Sequence, residues 1–238
     1  MTKFRKAAGS LGILFMSLSP LAHADEATII VDSPSLLYIG KISQEANRRL
    51  FDAYRSHKDE IKWLAIRSKG GSVEDGLELG KWVHEQGLGI KVYEYCLSSC
   101  ANYVFPAASE RLLSSFAVIG YHGGACSTHF DRSALMQHQA GMSEAEIRKD
   151  NEAFNAYLTQ QCEKERSFYK GIGVRDDLAT LGQSPEYETL FETSPAALGW
   201  TYSPKAFEKL GIRGIQVINP PWRPNFPASD ATVITIDF

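Results

Sequence analysis

The feature that most constrains the fold is a regular alternation of strand-like and helix-like segments in the first half of the chain. Short runs rich in apolar residues occupy 27–31, 35–39, 62–67 and 90–95. Between them, 43–56 and 73–86 have the residue spacing of helices, and a small apolar helix is predicted over 99–107. Strand–helix–strand units of this length favour parallel strands with helices packed on the sheet, so the sequence predicts an α/β domain.

Beyond these units, a long charged helix is predicted over 143–170, capped by Ser143. Its charged run over 163–166 is interpreted as a solvent-exposed face or an oligomer contact. Residues 216–238 contain four prolines and are predicted to form an extended tail packed on the surface. Length and composition fit a single globular domain over 25–238.

The N-terminus has the three parts of a secretory signal peptide. Three basic residues within 3–6 precede an apolar run over 11–21, and Ala22-His23-Ala24 follows it. Small residues at the −3 and −1 positions fit the signal peptidase, so cleavage is predicted after Ala24. The run is shorter than the roughly 20 apolar residues of a membrane-spanning helix, which argues against an anchor. The chain is therefore predicted to leave the cytoplasm and to keep no membrane span.

The charge balance argues against two classes of partner. The chain has 25 Lys and Arg and 28 Asp and Glu, and removal of the three basic residues at the N-terminus leaves 22 of the 25. A chain with a net negative charge has no electrostatic basis for binding nucleic acid or an anionic membrane surface. The sequence therefore predicts neither of them as a partner.

Four cysteines remain in the exported part, at Cys96, Cys100, Cys126 and Cys162. An even number of cysteines in a chain sent to an oxidising compartment predicts disulfides, and three pairings are open. We favour Cys96 with Cys100, and Cys126 with Cys162, of which the second ties a loop to a helix. The first bridge would rigidify the turn that carries Ser99.

A metal site is the alternative use of these residues. Zinc sites with cysteine ligands usually contain paired C-x-x-C elements, and the chain has none. His129 and His138 lie near Asp131, but their spacing does not place two ligands on one face of a helix. The sequence therefore predicts no metal.

Three segments with paired glycines or paired serines lie at the ends of predicted strands, where α/β folds bind their ligands. They are Gly70-Gly71-Ser72, Ser98-Ser99-Cys100-Ala101 and Tyr121-His122-Gly123-Gly124. Each one alone has an ordinary interpretation, because glycine pairs form turns, serines cap helices and histidines make structural hydrogen bonds. Together they supply what a hydrolytic serine needs: a hydroxyl at a helix start, a base, and nearby backbone N–H groups. Their order and spacing predict a serine hydrolase.

The segments 68–80, 99–105 and 111–122, taken together, resemble the core of the proteolytic subunit of Clp protease, in the ClpP/crotonase superfamily. The resemblance extends over 35–124 and, more loosely, over 173–215, and it points most closely to periplasmic ClpP-like proteins. It implies an α/β spiral of repeated β-β-α units with a long helix after the core sheet. It also implies that the exported chain is periplasmic.

The same resemblance implies a role for each of five residues. Ser99 is the nucleophile, His122 the general base, and the N–H groups of Gly71 and Cys100 form the oxyanion hole. Glycine lets the backbone approach a substrate closely, and N–H groups at a helix start are unpaired. Ser98 is the rival nucleophile, at a position where the family has a small spacer. The implied function is a serine peptidase or related hydrolase that acts on a peptide or protein through an acyl-enzyme, without a cofactor.

The third member of a triad is missing from its family position. Clp-type enzymes have an aspartate just before the helix that here begins near residue 203, but residues 196–200 contain no acid. Glu192, Asp176 or Asp177 are candidates for the role. A water molecule or a backbone carbonyl could replace the acid, or the triad could be broken.

Three further hypotheses follow from the resemblance. The superfamily also contains Ser-Lys dyad peptidases, and Lys149 is the lysine whose position suits that role. The missing acid favours a binding or scaffold protein that keeps the fold without catalysis. A crotonase-like acyl-CoA enzyme is disfavoured, because the signal peptide takes the chain away from cytosolic coenzyme A. Resemblance to Clp subunits also implies self-association through the long helix.

Overall fold

A computed structural model describes residues 26–128, 133–226 and 230–238 of the chain. The predicted signal peptide over 1–24 lies outside these residues, as do His129 and Asp131 of the metal-site alternative. Within the described ranges, no helix combines the length and apolar character that crossing a membrane requires. The same ranges hold no group of three or more His, Cys, Asp or Glu side chains arranged to bind a metal ion.

A six-stranded sheet forms the centre of the fold. The strands of the described residues are β1 Thr28–Asp32, β2 Ser35–Ile39, β3 Trp63–Arg67, β4 Gly89–Val92, β5 Tyr95–Leu97, β6 Arg111–Ser114, β7 Val118–Gly120, β8 Ala197–Tyr202, β9 Ile215–Ile218 and β10 Thr232–Ile236. The central sheet has the order β1-β2-β3-β4-β6-β9, in which β1 is antiparallel to β2 and the other neighbours are parallel. β5 pairs with β7, and β8 with β10, also in parallel.

Helices connect the parallel strands and pack on the sheet. Those of the described residues are α1 Gln44–His57, α2 Val73–Glu85, α3 Phe105–Ala107, α4 Ser133–His138, α5 Glu144–Ile172, α6 Glu188–Glu192 and α7 Pro204–Lys209. The three longest each begin after a serine whose hydroxyl accepts a hydrogen bond from a first-turn N–H. These caps are Ser43, Ser72 and Ser143. The predicted α/β architecture with a long helix is confirmed.

The structure differs from the sequence-based predictions in three places. The predicted strand over 90–95 divides into β4 and β5. The predicted helix over 99–107 begins as a π-helix, Cys100–Val104, before the short α3, and such turns recur at functional sites. The predicted extended tail over 216–238 contains most of β9, at one edge of the central sheet, and all of β10, which pairs with β8. Pairing with a distant strand gives these short segments the hydrogen bonds that fix their conformation.

Both predicted disulfide pairings are confirmed. Cys96 bonds Cys100, with Cα atoms 5.3 Å apart, and closes the turn between β5 and the π-helix. Cys126 bonds Cys162, with Cα atoms 4.6 Å apart, and ties the loop after β7 to α5. The region beneath these loops is packed with aromatic side chains that are fully buried. They include Tyr103, Tyr121, Tyr169, Tyr202, Phe105 and Phe207.

Candidate active site

The three predicted segments meet at one edge of the molecule. The chain leaves β3 through Ser68, which forms a β-bridge with Cys96 at the middle of β5. β5 and β7 are parallel partners, so both end at the same edge, and they continue into Ser98 and Tyr121. Residues that the sequence assigned to one site are therefore neighbours in space.

Ser98 is the serine that hydrogen-bonds the histidine. Its Oγ lies 2.8 Å from His122 Nε2. Ser98 has a φ of 55°, in the left-handed region that residues with side chains seldom occupy. Two backbone hydrogen bonds hold this turn: Ser98 N–H donates to the carbonyl of Gly120 at 2.9 Å, and Asn102 N–H donates to the carbonyl of Ser98 at 2.8 Å. A strained strand-to-helix turn of this kind presents the nucleophilic serine in α/β-hydrolases.

Ser99, the predicted nucleophile, faces the interior. It is 3% exposed, and its Oγ accepts a hydrogen bond from Gly71 N–H at 2.8 Å. A Cβ placed on Gly76 of α2 would lie 2.7 Å from Ser99 Cβ, so the serine packs directly against that helix. The predicted contact between Ser99 and His122 is thus not made, and the structure pairs the histidine with Ser98. The left-handed turn at 98 sends these two neighbouring side chains in different directions.

One of the two predicted oxyanion donors, Gly71 N–H, already has a partner within the protein. Gly71 N–H donates to Ser99 Oγ, and Cys100 is buried at the start of the π-helix. Next to them, a Cβ on Gly70 would lie 3.0 Å from Ser99 N and 2.8 Å from Ser98 Cβ. The absence of a side chain at Gly70 therefore lets its backbone pack closely against the turn that carries Ser98.

Replacement of Gly71 by alanine is expected to destabilise the protein by about 2 kcal/mol. A Cβ on Gly71 would lie 1.9 Å from the carbonyl oxygen of Ile42, so one of the two backbone segments must shift. Urea unfolding of the variant measures the loss. Gly171→Ala is the matched control, since a Cβ there, in the last turn of α5, meets nothing within 4 Å. It should leave stability unchanged or raise it. Equal stability of the two variants would contradict this packing.

The loop that carries His122 is held on both sides, although its imidazole is exposed. Tyr121 and Trp200 exchange two backbone hydrogen bonds, of 2.8 and 2.9 Å. Asn102 Nδ2 donates to the carbonyl of Gly123 at 2.8 Å. Both contacts fix the backbone on either side of the histidine, so its ring is held in a defined position beside Ser98.

The imidazole has no carboxylate partner among the described residues. Asp177 pairs with Arg175, away from the histidine, and Glu192 ends α6 without lining a cleft at His122. Glu188, at the start of α6, does line a cleft together with His122. Sequence reasoning missed Glu188, and its only signal was its position four residues before the predicted Glu192.

The lysine predicted for a Ser-Lys dyad, Lys149, lines neither of the clefts that Ser98 lines. Lys149 is exposed on α5, and the Oγ of Ser98 bonds His122 instead. Lys41 and Lys69 line the cleft beside Ser98, and Lys69 also lines the second cleft there. The described geometry therefore favours a histidine over a lysine as the base.

No protein-family model matches the chain, and no curated protein matches it. Solved structures do match. A mutant form of the membrane-bound stomatin-specific protease 1510-N has 12% sequence identity over 86% of this chain and 95% of that chain, with a TM-score of 0.43. An enoyl-CoA hydratase from Thermoplasma volcanium has 12% identity over 71% of this chain and 93% of that chain, with a TM-score of 0.32.

Methylmalonyl-CoA decarboxylase matches at 9% identity and a TM-score of 0.28, and the match covers 38% of this chain and 46% of that chain. This chain therefore spans less than half of the length of that enzyme. In this chain, parallel strands joined by helices form the central sheet, the β5·β7 pair stands beside it, and the long α5 follows. These elements make an α/β fold.

A buried carboxylate of α5 holds the loop after His122. Glu165 is fully buried and accepts hydrogen bonds from Tyr103 Oη at 2.6 Å, Ala125 N–H at 3.0 Å and Cys126 N–H at 3.2 Å. Burial raises its pKa, and these hydrogen bonds oppose the rise. The prediction of a solvent-exposed run over 163–166 is wrong at this residue, because the loop brings two N–H donors that a carboxylate satisfies.

Two clefts meet at Ser98. The first, the cationic cleft, has a volume of about 630 Å³ and is lined by Glu26, Gly40, Lys41, Arg67, Lys69, Gly70, Gly71, Ser72, Tyr95 and Ser98. The second, the apolar cleft, has a volume of about 440 Å³ and also reaches His122. Its other lining residues are Lys69, Tyr95, Leu97, Ser98, Gly120, Tyr121, Leu198, Phe226, Ala231 and Val233. A substrate held across both clefts would pass over the Ser98 hydroxyl.

Proposed function

We propose that this protein is a serine hydrolase that cleaves peptide bonds, with Ser98 as the nucleophile and His122 as its general base. The observation that carries the proposal is the 2.8 Å hydrogen bond between Ser98 Oγ and His122 Nε2. The left-handed backbone of Ser98 and the clefts on either side of it support the same role. The assignment moves the nucleophile one residue from the predicted Ser99.

The reaction has two halves. In the first, His122 accepts the hydroxyl proton as Ser98 Oγ attacks the carbonyl carbon, and then gives that proton to the leaving amine, which leaves an acyl-enzyme. In the second, His122 accepts a proton from water and the water oxygen attacks the acyl carbon. The bond from that carbon to Ser98 Oγ then breaks, His122 returns the proton to Ser98 Oγ, and the acyl group leaves as a carboxylic acid. Ser99 N–H, which follows the nucleophile in the chain, would stabilise the oxyanion of both steps.

The buried Ser99 has a supporting part in this proposal. Its hydroxyl holds Gly71 N–H at 2.8 Å and so fixes the glycine segment beside the nucleophile. The disulfide between Cys96 and Cys100 closes the same turn from the other side. Both contacts restrict the backbone around Ser98, which reduces the reorganisation needed at the moment of reaction.

The proposal also includes the cellular compartment in which the protein acts. Two disulfides fit an oxidising location outside the cytoplasm. We place the mature chain in the periplasm, after cleavage of the signal peptide behind Ala24, and expect a peptide or protein as its substrate. Self-association through α5 remains a proposal that rests on the sequence resemblance.

A fluorophosphonate probe tests the proposed function, because it forms a stable adduct only with an activated serine. The mature protein, with its disulfides intact, should acquire one adduct in a time-dependent reaction and should hydrolyse members of a fluorogenic peptide library. Protein unfolded in guanidinium before exposure is the control and should stay unlabelled. A folded protein that neither labels nor hydrolyses any peptide would contradict catalysis.

That outcome would support a second candidate function, a binding or scaffold protein. One observation favours it: no carboxylate among the described residues hydrogen-bonds the His122 ring. In serine hydrolases an acid normally fixes the tautomer of the histidine, and its loss costs orders of magnitude in rate. Binding of peptides without turnover would then be the function of the two clefts.

A further inference from the structure

Positive charge gathers on one side of Ser98. The cationic cleft contains three cationic side chains, those of Lys41, Arg67 and Lys69, against the single carboxylate of Glu26. On the other side of the serine, the apolar cleft is lined mainly by apolar and aromatic residues, with Lys69 at the boundary between the two. The two ends of a bound substrate would therefore meet different chemistry.

Two of the three cations in the cationic cleft lack an ion pair. Arg67 bonds Glu94 at 2.9 Å, and Glu26 bonds Arg49 at 3.2 Å, so those charges are largely compensated. Lys41 and Lys69 are exposed and form no ion pair with any described residue. The cleft therefore keeps an excess of two positive charges that face the space beside the nucleophile.

An ammonium group in a cleft attracts a carboxylate more strongly than the same group on an open surface, because the walls of the cleft exclude part of the solvent. The overall charge of the chain is negative, so this positive region is local and does not follow from composition. Lys69 also precedes the glycines beside Ser98 in sequence. A group bound by Lys69 therefore lies close to the serine turn.

We infer that the cationic cleft binds a carboxylate of the substrate, so that the enzyme selects peptides with a carboxylate on one side of the scissile bond and an apolar residue on the other. This inference rests on the proposed function for the position of the scissile bond. The carboxylate has two sources, an Asp or Glu side chain or the C-terminal carboxylate of the peptide. Both would be held by Lys41 and Lys69.

Binding is measured in a Ser98→Ala background, where the peptide is not consumed. Three fluorescein-labelled peptides of equal length share an apolar residue: one has an internal Glu and an amidated C-terminus, one has Gln and an amidated C-terminus, and one has Gln and a free C-terminus. Fluorescence anisotropy at about 50 mM salt gives each dissociation constant, since added salt screens exposed charges. We expect at least one carboxylate peptide to bind about tenfold more tightly than the uncharged Gln peptide.

Charge reversal at the two lysines decides the assignment. Lys41→Glu with Lys69→Glu should abolish the preference for the carboxylate peptide, and the same loss should appear at higher salt in the parent protein. Lys62→Glu is the control. Lys62 is exposed and lies just before β3, at the end of the strand opposite Arg67. Five residues of extended strand place Lys62 roughly 17 Å from Arg67. The Lys62→Glu variant should keep the preference for the carboxylate peptide.

The outcomes separate this inference from the proposed function. Equal binding of all three peptides, or a preference that survives reversal of both lysines, would overturn the carboxylate site. Tight binding of the internal Glu peptide identifies a side chain as the source, and tight binding of the free C-terminus identifies the chain end. If the probe fails to label the wild type while the preference holds, the proposed function fails and the carboxylate site stands.

Discussion

Replacement of Ser98 by alanine is expected to lower the rate of fluorophosphonate labelling and of peptide hydrolysis by about 1000-fold or more, because it removes the attacking oxygen. His122→Ala should approach the same loss, since the hydroxyl is unreactive without its base. Ser99→Ala should lower the rate by about tenfold or less, because it disturbs the glycine segment without removing a reacting atom. The first-order labelling rate measures all three.

Each variant must be folded for this comparison. Circular dichroism and the urea midpoint serve as the check, and Ser99→Ala is expected to lose about 1 kcal/mol of stability, because Gly71 N–H loses its acceptor. Ser98 is partly exposed, so its alanine variant should keep the stability of the wild type. If the folded Ser99→Ala protein is inactive while the Ser98→Ala protein is active, the nucleophile is Ser99 and the assignment to Ser98 is wrong.

Replacement of Glu165 by alanine is expected to destabilise the protein by about 3 kcal/mol and to reduce activity as well. Three donors, the Tyr103 hydroxyl and the N–H groups of Ala125 and Cys126, lose their acceptor in a buried site. The loop that follows His122 then loses one of its attachments to α5. Urea unfolding measures the stability, and Glu163→Ala on the same helix, where the side chain is exposed, is the matched control with little expected change.

Glu165 also predicts how stability depends on pH. Burial raises the pKa of Glu165 in the folded state above its ordinary value of 4.5, so the folded state holds this proton more tightly than the unfolded state. The stabilisation that the Glu165 proton gives is complete below the pKa of Glu165 in the unfolded state. It is lost as the pH rises through the pKa of Glu165 in the folded state. Relative to Glu165→Gln, which does not titrate, the wild type should therefore lose stability as pH rises from about 4. A constant difference between the two proteins across that range would contradict the raised pKa.

The sequence predicted the parts of this molecule that depend on nearby residues. Caps such as Ser143 bond an N–H three positions along the chain, so a short window contains both partners. The strands and helices up to β4 and the long α5 follow from apolar spacing in the same way. The disulfide pairing was predicted too, since the spacing of Cys96 and Cys100 allows a bridge across one turn.

The parts that were missed depend on distant contacts or on a single dihedral angle. Ser98 and Ser99 have the same side chain, and only the left-handed turn at 98 decides which of them faces His122. Glu165 stands in a charged run that is typical of an exposed helix, and its burial depends on a loop about 40 residues earlier, as the separation from Ala125 shows. The partner of β10 is likewise a distant strand, β8. Sequence spacing does not contain this information.

The most direct test of the central claim is the site of the covalent adduct. Mature protein labelled with a fluorophosphonate probe is digested, and the peptide that contains 98 and 99 is fragmented in a mass spectrometer. We predict an adduct on Ser98, whose hydroxyl is bonded to His122 Nε2. An adduct on Ser99, or on a serine elsewhere in the chain, would contradict the assignment of the nucleophile.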